Sequence, residues 1–188
     1  TYQINVTCGD GTLNTSEVFN YTIQDATVPT FSSATNTSSE FKRYQNFTAN
    51  IILADATLDY YIFSTNASGN WSNTTLDISG SEYNATEHTN ISLAQNNYVC
   101  WYYWVNDTLG NIATSTTYCF NVVDSSPNVP SLGVLENLTN TTDNTPFFNW
   151  TATDIDEDTL TYEILLDNES DFNTPVERNS TLTDNNYS

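Results

Sequence analysis

The sequence predicts an all-β fold, built as tandem antiparallel β-sandwiches. Short runs in which apolar and polar residues alternate recur along the 188 residues, and clusters of Asn, Asp, Gly and Thr separate them. No segment shows the long 3.6-residue apolar period of an amphipathic helix, or a capping box ahead of one. Proline-containing segments at 25–31 and 124–132 divide the chain. We therefore expect three pieces, at residues 1–26, 27–125 and 126–188.

The middle piece has the length of one complete sandwich domain. Its strands are expected at 47–53, 58–65, 71–78, 98–105 and 116–123, and the last two should form a closing hairpin. Four consecutive aromatic residues lie at 101–104, so at least half of them must belong to the core. The hairpin residues expected to face inward are Val99, Trp101, Tyr103, Val105, Tyr118, Phe120 and Val122.

The closing hairpin carries two of the three cysteines. Centring its turn on Leu109 and Gly110 sets Cys100 directly opposite Cys119. Directly opposed residues of an antiparallel pair have the short Cβ separation that a disulfide needs. We therefore expect a disulfide on the outer face of the sheet, and the alternative is two buried free thiols.

The third cysteine ends the first alternating run of the chain. Tyr2, Ile4, Val6 and Cys8 occupy every second position of a strand that leads into a turn. We expect Cys8 to be a small buried core residue. An intermolecular disulfide is the alternative.

Asparagine is the most informative residue type. The triplet Asn-X-Ser/Thr, which accepts N-linked glycan, occurs 17 times. Chance predicts roughly seven at this Ser and Thr content. Asn5, Asn20 and Asn149 each lie between apolar residues that should face a core, so their side chains should face solvent. The predicted acceptors are Asn5, Asn14, Asn20, Asn36, Asn46, Asn66, Asn70, Asn73, Asn84, Asn90, Asn106, Asn137, Asn140, Asn149, Asn168, Asn179 and Asn186.

Glycosylation would place the protein outside the cell, at its surface. Few of the acceptors have an acidic residue two positions earlier, which typical bacterial glycosylation needs, so an archaeal or eukaryotic surface is favoured. Covalent N-linked glycans are thus the expected modification.

The charge balance excludes some partners. The net charge is −20, and Lys42, Arg43 and Arg178 are the only strong bases. Nucleic acid and anionic membrane surfaces need clustered Lys and Arg, so neither is an expected partner. No run approaches the roughly 20 apolar residues of a membrane span.

The residues offer little catalytic chemistry, and no enzyme activity is predicted. His88 is the only histidine, so a Ser-His-Asp or Cys-His arrangement would need it. We expect His88 to be a solvated loop residue. There is no Gly-rich phosphate loop and no Cys/His metal spacing. The sequence singles out no carboxylate pair for glycoside hydrolysis, although it does not exclude one.

One acidic turn suggests a metal. Asp154, Asp156 and Asp158 alternate in sequence, and carboxylate oxygens at that spacing could share a Ca²⁺. The EF-hand pattern fails, because Thr159 stands where Gly is needed and Leu165 where the bidentate Glu is needed. The alternative is an acidic turn between strands. A calcium titration followed by melting temperature separates the two.

Two stretches resemble repeats of archaeal cell-surface proteins. Residues 98–124, YVCWYYWVNDTLGNIATSTTYCFNVVD, are similar to the closing hairpin of their immunoglobulin-like repeats. Residues 145–176, TPFFNWTATDIDEDTLTYEILLDNESDFNTPV, resemble the second and third strands of their fibronectin type III-like repeats. The resemblance covers most of the chain and implies a fold and a location, not an activity. It implies tandem domains in stalks, adhesins, surface layers or filaments.

The two end pieces are expected to be complementary. Residues 1–25 align with the closing hairpin of the middle domain, with Cys8, Asp10 and Tyr21 matching Val105, Asp107 and Phe120. Residues 127–188 carry opening strands near 132–135, 148–152, 160–166 and 182 but lack a closing hairpin. We expect the end of one copy and the start of the next to build one sandwich, head to tail. The copies are either separate subunits or parts of a longer covalent array. The start within a strand and the lack of Met favour the array slightly.

These observations predict a structural component of a heavily N-glycosylated extracellular filament, stalk or surface layer, with copies of itself as partners. The alternative is an adhesin or receptor ectodomain that binds carbohydrate or protein, which the aromatic residues at 71 and 101–104 favour. Exposed aromatic residues grouped in a groove without glycan would support the binder. Glycans on every face would support the structural role. An extracellular enzyme appendage is a third alternative.

Overall fold

All regular structure in the described part of the chain is β, as predicted. The computed structural model describes residues 1–37, 41–133 and 147–187. Within these ranges no helix is long and apolar enough to cross a membrane. The strands are β1 (Tyr2–Gly9), β2 (Asn14–Tyr21), β3 (Thr30–Asn36), β4 (Phe41–Lys42), β5 (Asn46–Ala54), β6 (Leu58–Thr65), β7 (Ser72–Asp77), β8 (Glu82–Asn90), β9 (Tyr98–Asp107), β10 (Ile112–Thr114), β11 (Tyr118–Val123), β12 (Ser131–Leu132), β13 (Phe148–Thr151), β14 (Tyr162–Leu166), β15 (Glu177–Leu182) and β16 (Asn186–Tyr187).

The chain divides into two compact units, each assembled from separated stretches. The first comprises Thr1–Ser39, Asn46–Asn90 and Val99–Cys119. The second comprises Glu40–Gln45, Ile91–Tyr98 and Phe120–Ser188.

The first unit contains three sets of antiparallel strands. β1 pairs with β2 along its whole length, from Tyr2 opposite Tyr21 to Gly9 opposite Asn14. β5 is the centre of a three-stranded sheet between β3 and β8. β6 lies between β7 and β9, and β10 pairs with the far end of β9.

Alternating side chains of β5, β6 and β9 form the core of the first unit. The β6 and β9 rings of Phe63 and Tyr103 lie 5.1 Å apart, and the Tyr103 hydroxyl donates to the Ala49 carbonyl oxygen at 3.0 Å. This bond satisfies the polar end of a buried ring and ties β9 to β5. The predicted inward faces are confirmed, with near-complete burial of Phe47, Ala49, Ile51, Leu53, Val99, Trp101, Tyr103 and Val105.

β8 is a strand that the apolar pattern does not predict. It pairs with β5 from Glu82 opposite Ala54 to Asn90 opposite Asn46, so the prediction that His88 lies in a loop is wrong. Of its inward positions only Ala85 is buried, since the others are Tyr83, Glu87 and Thr89. The strand forms because β5 offers it a complete backbone ladder.

The hairpin of β9 and β10 is one residue away from the predicted register near its turn, where Ile112 lies opposite Asn106. The ladder is irregular at Ser115. Its N–H donates to the Tyr103 carbonyl at 2.8 Å, and its hydroxyl accepts from the Tyr103 N–H at 2.9 Å. The side chain thus replaces a backbone partner at a local irregularity of the ladder.

The β1–β2 hairpin has one apolar and one polar face. Residues paired across it share a face. Its apolar face, hereafter the hairpin apolar face, consists of Tyr2, Ile4, Val6, Cys8, Phe19 and Tyr21, and Glu17 and Thr15 lie on the same side opposite Val6 and Cys8. Every residue of both strands is exposed. The prediction that Cys8 is buried is therefore wrong: it is a free, exposed thiol, because nothing in the described ranges covers this face.

The second unit holds short strands in three sets. β4 pairs in parallel with β11, β13 lies between β12 and β16, and β14 pairs with β15. Trp150 is buried and meets the Tyr162 ring edge-on at 5.5 Å, which forms a small core. The strands predicted near 148–152 and 160–166 are confirmed. The strand expected to begin near Leu182 ends there instead, and residues 134–135 lie outside the described ranges.

Candidate functional site

The acceptor asparagines are the most widespread surface feature of the described chain. Fifteen of them lie in described residues and none of these is buried, whereas Asn137 and Asn140 lie outside the described ranges. The exposed ones are Asn5, Asn14, Asn20, Asn46, Asn70, Asn73, Asn84, Asn90, Asn168 and Asn186. The half-buried ones are Asn36, Asn66, Asn106, Asn149 and Asn179.

Strand parity predicts that Asn5, Asn20 and Asn149 face solvent, and two of the three do. Asn5 and Asn20 lie on the polar face of the hairpin and are exposed. Asn149 is only half-buried, not fully exposed, and its Oδ1 is enclosed without a partner. Gly133 causes this difference: its N–H donates to the Asn149 carbonyl at 2.9 Å, and the Asn149 amide fills the space that a Cβ at Gly133 would need.

Some acceptor amides already serve the fold. Asn66 Oδ1 accepts from the Cys100 N–H at 2.6 Å. Asn106 Oδ1 accepts from the Tyr60 N–H at 3.3 Å, and its Nδ2 donates to Asp59 at 3.4 Å. A glycan is attached through Nδ2, so modification of Asn106 competes with the hydrogen bond that its Nδ2 donates to Asp59. The Asn5 side chain makes no such hydrogen bond on the described hairpin.

The disulfide predicted between Cys100 and Cys119 is present, with the two Cα atoms 4.1 Å apart. Cys100 is half-buried and Cys119 is exposed, while the neighbouring Trp101 is buried. The bridge therefore lies on the outer face, as expected. On the opposite face the rings of Trp101 and Tyr118 stack at 4.6 Å.

An aromatic groove lies on the outer face of β6 and β9. Tyr102 and Trp104 alternate with the core residues of β9, so they lie on its opposite side. They line a cavity of about 370 Å³ together with Ile62, Ser64 and Asn73. Just beside it, the exposed Trp71 ring lies 5.4 Å from that of Tyr102. Aromatic rings beside hydroxyl and amide groups offer both stacking surface and hydrogen bonds.

The same groove contains a glycan acceptor. Asn73 lines it, and its Oδ1 accepts from the Ser64 hydroxyl at 2.8 Å. A sugar attached to Asn73 would begin inside the groove. The groove is thus either a site for a separate ligand or the seat of the chain's own glycan.

Three carboxylates converge in the first unit. One oxygen from each of Asp25, Asp55 and Asp107 lies within 4.8 Å of the others. Hydrogen bonds from Thr27 lower the pKa of Asp25. Burial raises the pKa of Asp107, but bonds from Asn111 and from the Leu109 N–H outweigh burial and leave it below its usual value.

Both shifts favour the ionised forms, so Asp25 and Asp107 are negative at neutral pH. Oxygen ligands of this kind suit hard cations, although one oxygen from each of three carboxylates is fewer than the six to eight that Ca²⁺ takes. No sequence pattern predicts this group, because its members are far apart in the chain and only the folded structure brings them together.

The three carboxylates of the predicted calcium site accept hydrogen bonds from different groups. Asp154 accepts from the Asp156 N–H at 2.7 Å, and Asp156 accepts from the Ser125 N–H at 2.7 Å. Asp158 accepts from Gln95 Nε2 at 2.8 Å through both oxygens. Among the described residues, these three do not form a group with oxygens within 4.8 Å of one another. The bonds fit the alternative of an acidic turn, and calcium binding there stays a prediction.

The single histidine lies on a sheet surface. His88 is exposed, and its Nδ1 lies 2.8 Å from the hydroxyl oxygen of Thr48, its direct neighbour across β5 and β8. This arrangement is a cross-strand pair of the kind that stabilises antiparallel sheets.

No protein-family model matches the chain, and no curated protein matches it in sequence. The resemblance to archaeal repeats stays a prediction from the motifs.

Proposed function

We propose that the chain is a structural component of a heavily N-glycosylated extracellular filament, stalk or surface layer. The observation that carries this proposal is the distribution of acceptor asparagines. They occur in both units, and every described one is exposed or half-buried. Strand residues that face a core are buried, so acceptor asparagines at such positions would not be accessible.

The composition supports a glycan-covered surface. Charged residues are only 14% of the chain, compared with roughly 25% in ordinary soluble domains. Asn, Ser and Thr therefore supply much of the polar surface. Attached sugars would add hydration and would cover sheet edges that otherwise invite unwanted pairing.

The strand order supports domains of the immunoglobulin-like and fibronectin type III-like kind. In the first unit, β3, β5 and β8 form one sheet, and β7, β6 and β9 belong to a second, larger sheet. Tyr103 and Tyr61 donate from the second sheet to Ala49 and Glu87 of the first, at 3.0 and 2.7 Å. Two antiparallel sheets facing each other over buried aromatic residues are what such a sandwich requires.

Peptide mapping of the native protein by mass spectrometry tests the proposal. We expect N-linked sugar at most acceptors, including Asn5 and Asn20. The same peptides after enzymatic deglycosylation serve as the control, because release of the sugar converts the modified asparagines to aspartate. Unmodified Asn5 and Asn20 in the native protein would defeat the surface-coat proposal.

A second candidate function is carbohydrate or protein binding at the aromatic groove. The exposed Trp71 beside Tyr102 and Trp104 is the observation that favours it. A Trp104→Ala variant should then lose binding to a glycan array, while Tyr98→Ala, which removes an aromatic residue that is 65% exposed and does not line the groove, should keep it. Sugar found on Asn73 would instead favour the structural role, because that sugar occupies the groove.

A further inference from the structure

We propose that the hairpin apolar face of one copy docks on the β14–β15 pair of a second copy of this chain and completes a sheet there. The inference rests on the proposed structural role, and it identifies the surfaces that would join successive copies. Its two halves are an apolar hairpin and a two-stranded sheet, neither of which pairs with a further strand within residues 1–37, 41–133 and 147–187.

The hairpin has the surface of a buried element. Tyr2, Ile4 and Phe19 of its apolar face are 54%, 51% and 51% exposed. An isolated two-stranded hairpin is marginally stable in water, and a contiguous exposed apolar patch marks an interaction surface. The polar face carries the acceptors Asn5 and Asn20, so sugar on that side would leave the apolar side free to dock.

The turn of this hairpin resembles the turn that follows β9 in the closing hairpin of the first unit. Asp10 Oδ1 accepts from the N–H groups of Thr12 and Leu13 at 2.9 and 2.8 Å. Asp107 Oδ1 accepts from the N–H groups of two residues in its own turn at 2.9 and 2.7 Å. A left-handed glycine lies in each turn, with φ of 92° and 86°.

The first unit shows where such a hairpin belongs. There β6 pairs with β7 on one edge and with β9, the first strand of the closing hairpin, on the other. In the second unit β14 pairs with β15 on one edge, and no strand of the described ranges pairs with its other edge. β14 therefore offers the edge that β6 uses for its hairpin.

A largely apolar cavity, with Thr161 and Glu163 as its polar lining residues, lies beside β14. It has a volume of about 320 Å³ and is lined by Pro130, Leu132, Trp150, Tyr162, Ile164 and Leu165 among others. Trp150 Nε1 is enclosed there without a hydrogen-bond partner, and Leu132 is 66% exposed. This surface matches the hairpin apolar face in chemistry.

The first unit also supplies a register for docking. Tyr61 lies opposite Val105, and Phe63 lies opposite Tyr103. When Tyr162 of β14 is matched to Tyr61 of β6, and Asp10 to Asp107, the same register places Cys8 beside Tyr162 and Val6 beside Ile164. The fit is between apolar side chains of moderate size on both sides.

Docking would bury a moderate apolar area of the hairpin. An aromatic side chain buries roughly 150–250 Å², so three rings that are about half exposed can bury on the order of 300 Å² more. The aliphatic residues and the backbone edge of β1 bring the total toward the roughly 800 Å² per partner of a stable interface. The hairpin apolar face and the β14–β15 pair are different surfaces. The contact between them is therefore heterologous and propagates as an open chain of copies.

Sedimentation velocity of the unglycosylated 188-residue chain over a wide range of concentration tests the proposal. The wild type should form a ladder of oligomers that lengthens with concentration. Ile4→Asp should abolish the ladder, whereas Val18→Asp, on the polar face of the same hairpin and equally exposed at 51%, should not. Leu132→Asp should abolish it, whereas Val129→Asp, which is 90% exposed and does not line the cavity, should not.

Mixing the two inactive variants sharpens the test. The Ile4→Asp variant keeps an intact surface at the β14–β15 pair, and the Leu132→Asp variant keeps an intact hairpin apolar face. Their mixture should therefore form 1:1 dimers and nothing longer. A monomeric wild type at every concentration would overturn the proposal. So would a dimer that Ile4→Asp abolishes and Leu132→Asp keeps, because that result means two hairpins pair with each other.

The alkylation rate of the free Cys8 thiol measures docking in the wild type, without any substitution. Cys8 lies on the hairpin apolar face and is the one cysteine outside the disulfide. Its alkylation should slow roughly tenfold as the wild type assembles, since protection follows the fraction of docked copies. Alkylation at a constant rate over the same range would contradict docking. Glycan mapping is unaffected by either result, so failure of docking and failure of the proposed function are distinguishable.

Discussion

Removal of the disulfide between Cys100 and Cys119 is expected to lower the free energy of unfolding by about 3 kcal/mol, according to the chain-entropy estimate for a loop of this size. The two cysteines are 19 residues apart in sequence. The bridge lies on the outer face, so its removal opens no cavity in the core and the loss comes from the freed unfolded chain. For a unit of roughly 100 residues, this corresponds to a decrease in melting temperature of roughly 10–20 °C.

The measurement is thermal unfolding of the Cys100→Ala/Cys119→Ala double variant, followed by circular dichroism. Cys8→Ala is the matched control, because Cys8 is exposed and unbonded and its removal should leave the melting temperature nearly unchanged. The reasoning fails if the double variant loses less than about 1 kcal/mol, or if Cys8→Ala loses as much.

Three further results are expected. Tyr103→Phe removes the hydroxyl that donates from β9 to β5 and should cost about 1 kcal/mol, measured by denaturant unfolding; Tyr118→Phe, with no hydroxyl bond among described residues, should cost less. Asp107 has a lowered pKa, so its contribution to stability is fully present above roughly pH 4 and is lost as pH falls through its folded pKa. Melting temperatures measured against pH should therefore drop in acid, and Asp107→Asn should flatten that drop; an unchanged profile would contradict the assignment. Glycan occupancy, measured by peptide mapping, should be lower at Asn106 than at Asn5, because the Asn106 amide already donates a hydrogen bond; equal occupancy would show that this bond does not matter.

Strands with a clear apolar alternation could be predicted from the sequence, and strands held by their neighbours could not. β5 and β6 bury every second residue over most of their lengths, so their positions and inward faces followed from the pattern. β8 has polar residues at most of its inward positions, and its Glu87 is accommodated by the Tyr61 hydroxyl. Only the three-dimensional neighbour makes such a position favourable.

The candidate sites divide in the same way. The disulfide followed from the local spacing of one hairpin, which fixes which residues lie opposite each other. The aromatic groove followed in part, since the parity of β9 separates Tyr102 and Trp104 from the core. The acidic group of Asp25, Asp55 and Asp107 did not follow, because long-range strand pairing brings its members together. Cys8 was misjudged because alternation identifies an apolar face but not whether the same chain covers it.

Electron microscopy of the native material tests most directly whether copies of this chain assemble into a glycosylated extracellular structure. We expect a repeating fibre or layer in which domains join end to end, with additional density for sugar at Asn5 and Asn20 and none between the hairpin apolar face and the neighbouring copy. Isolated monomers, with bare asparagines at these two positions, would contradict it.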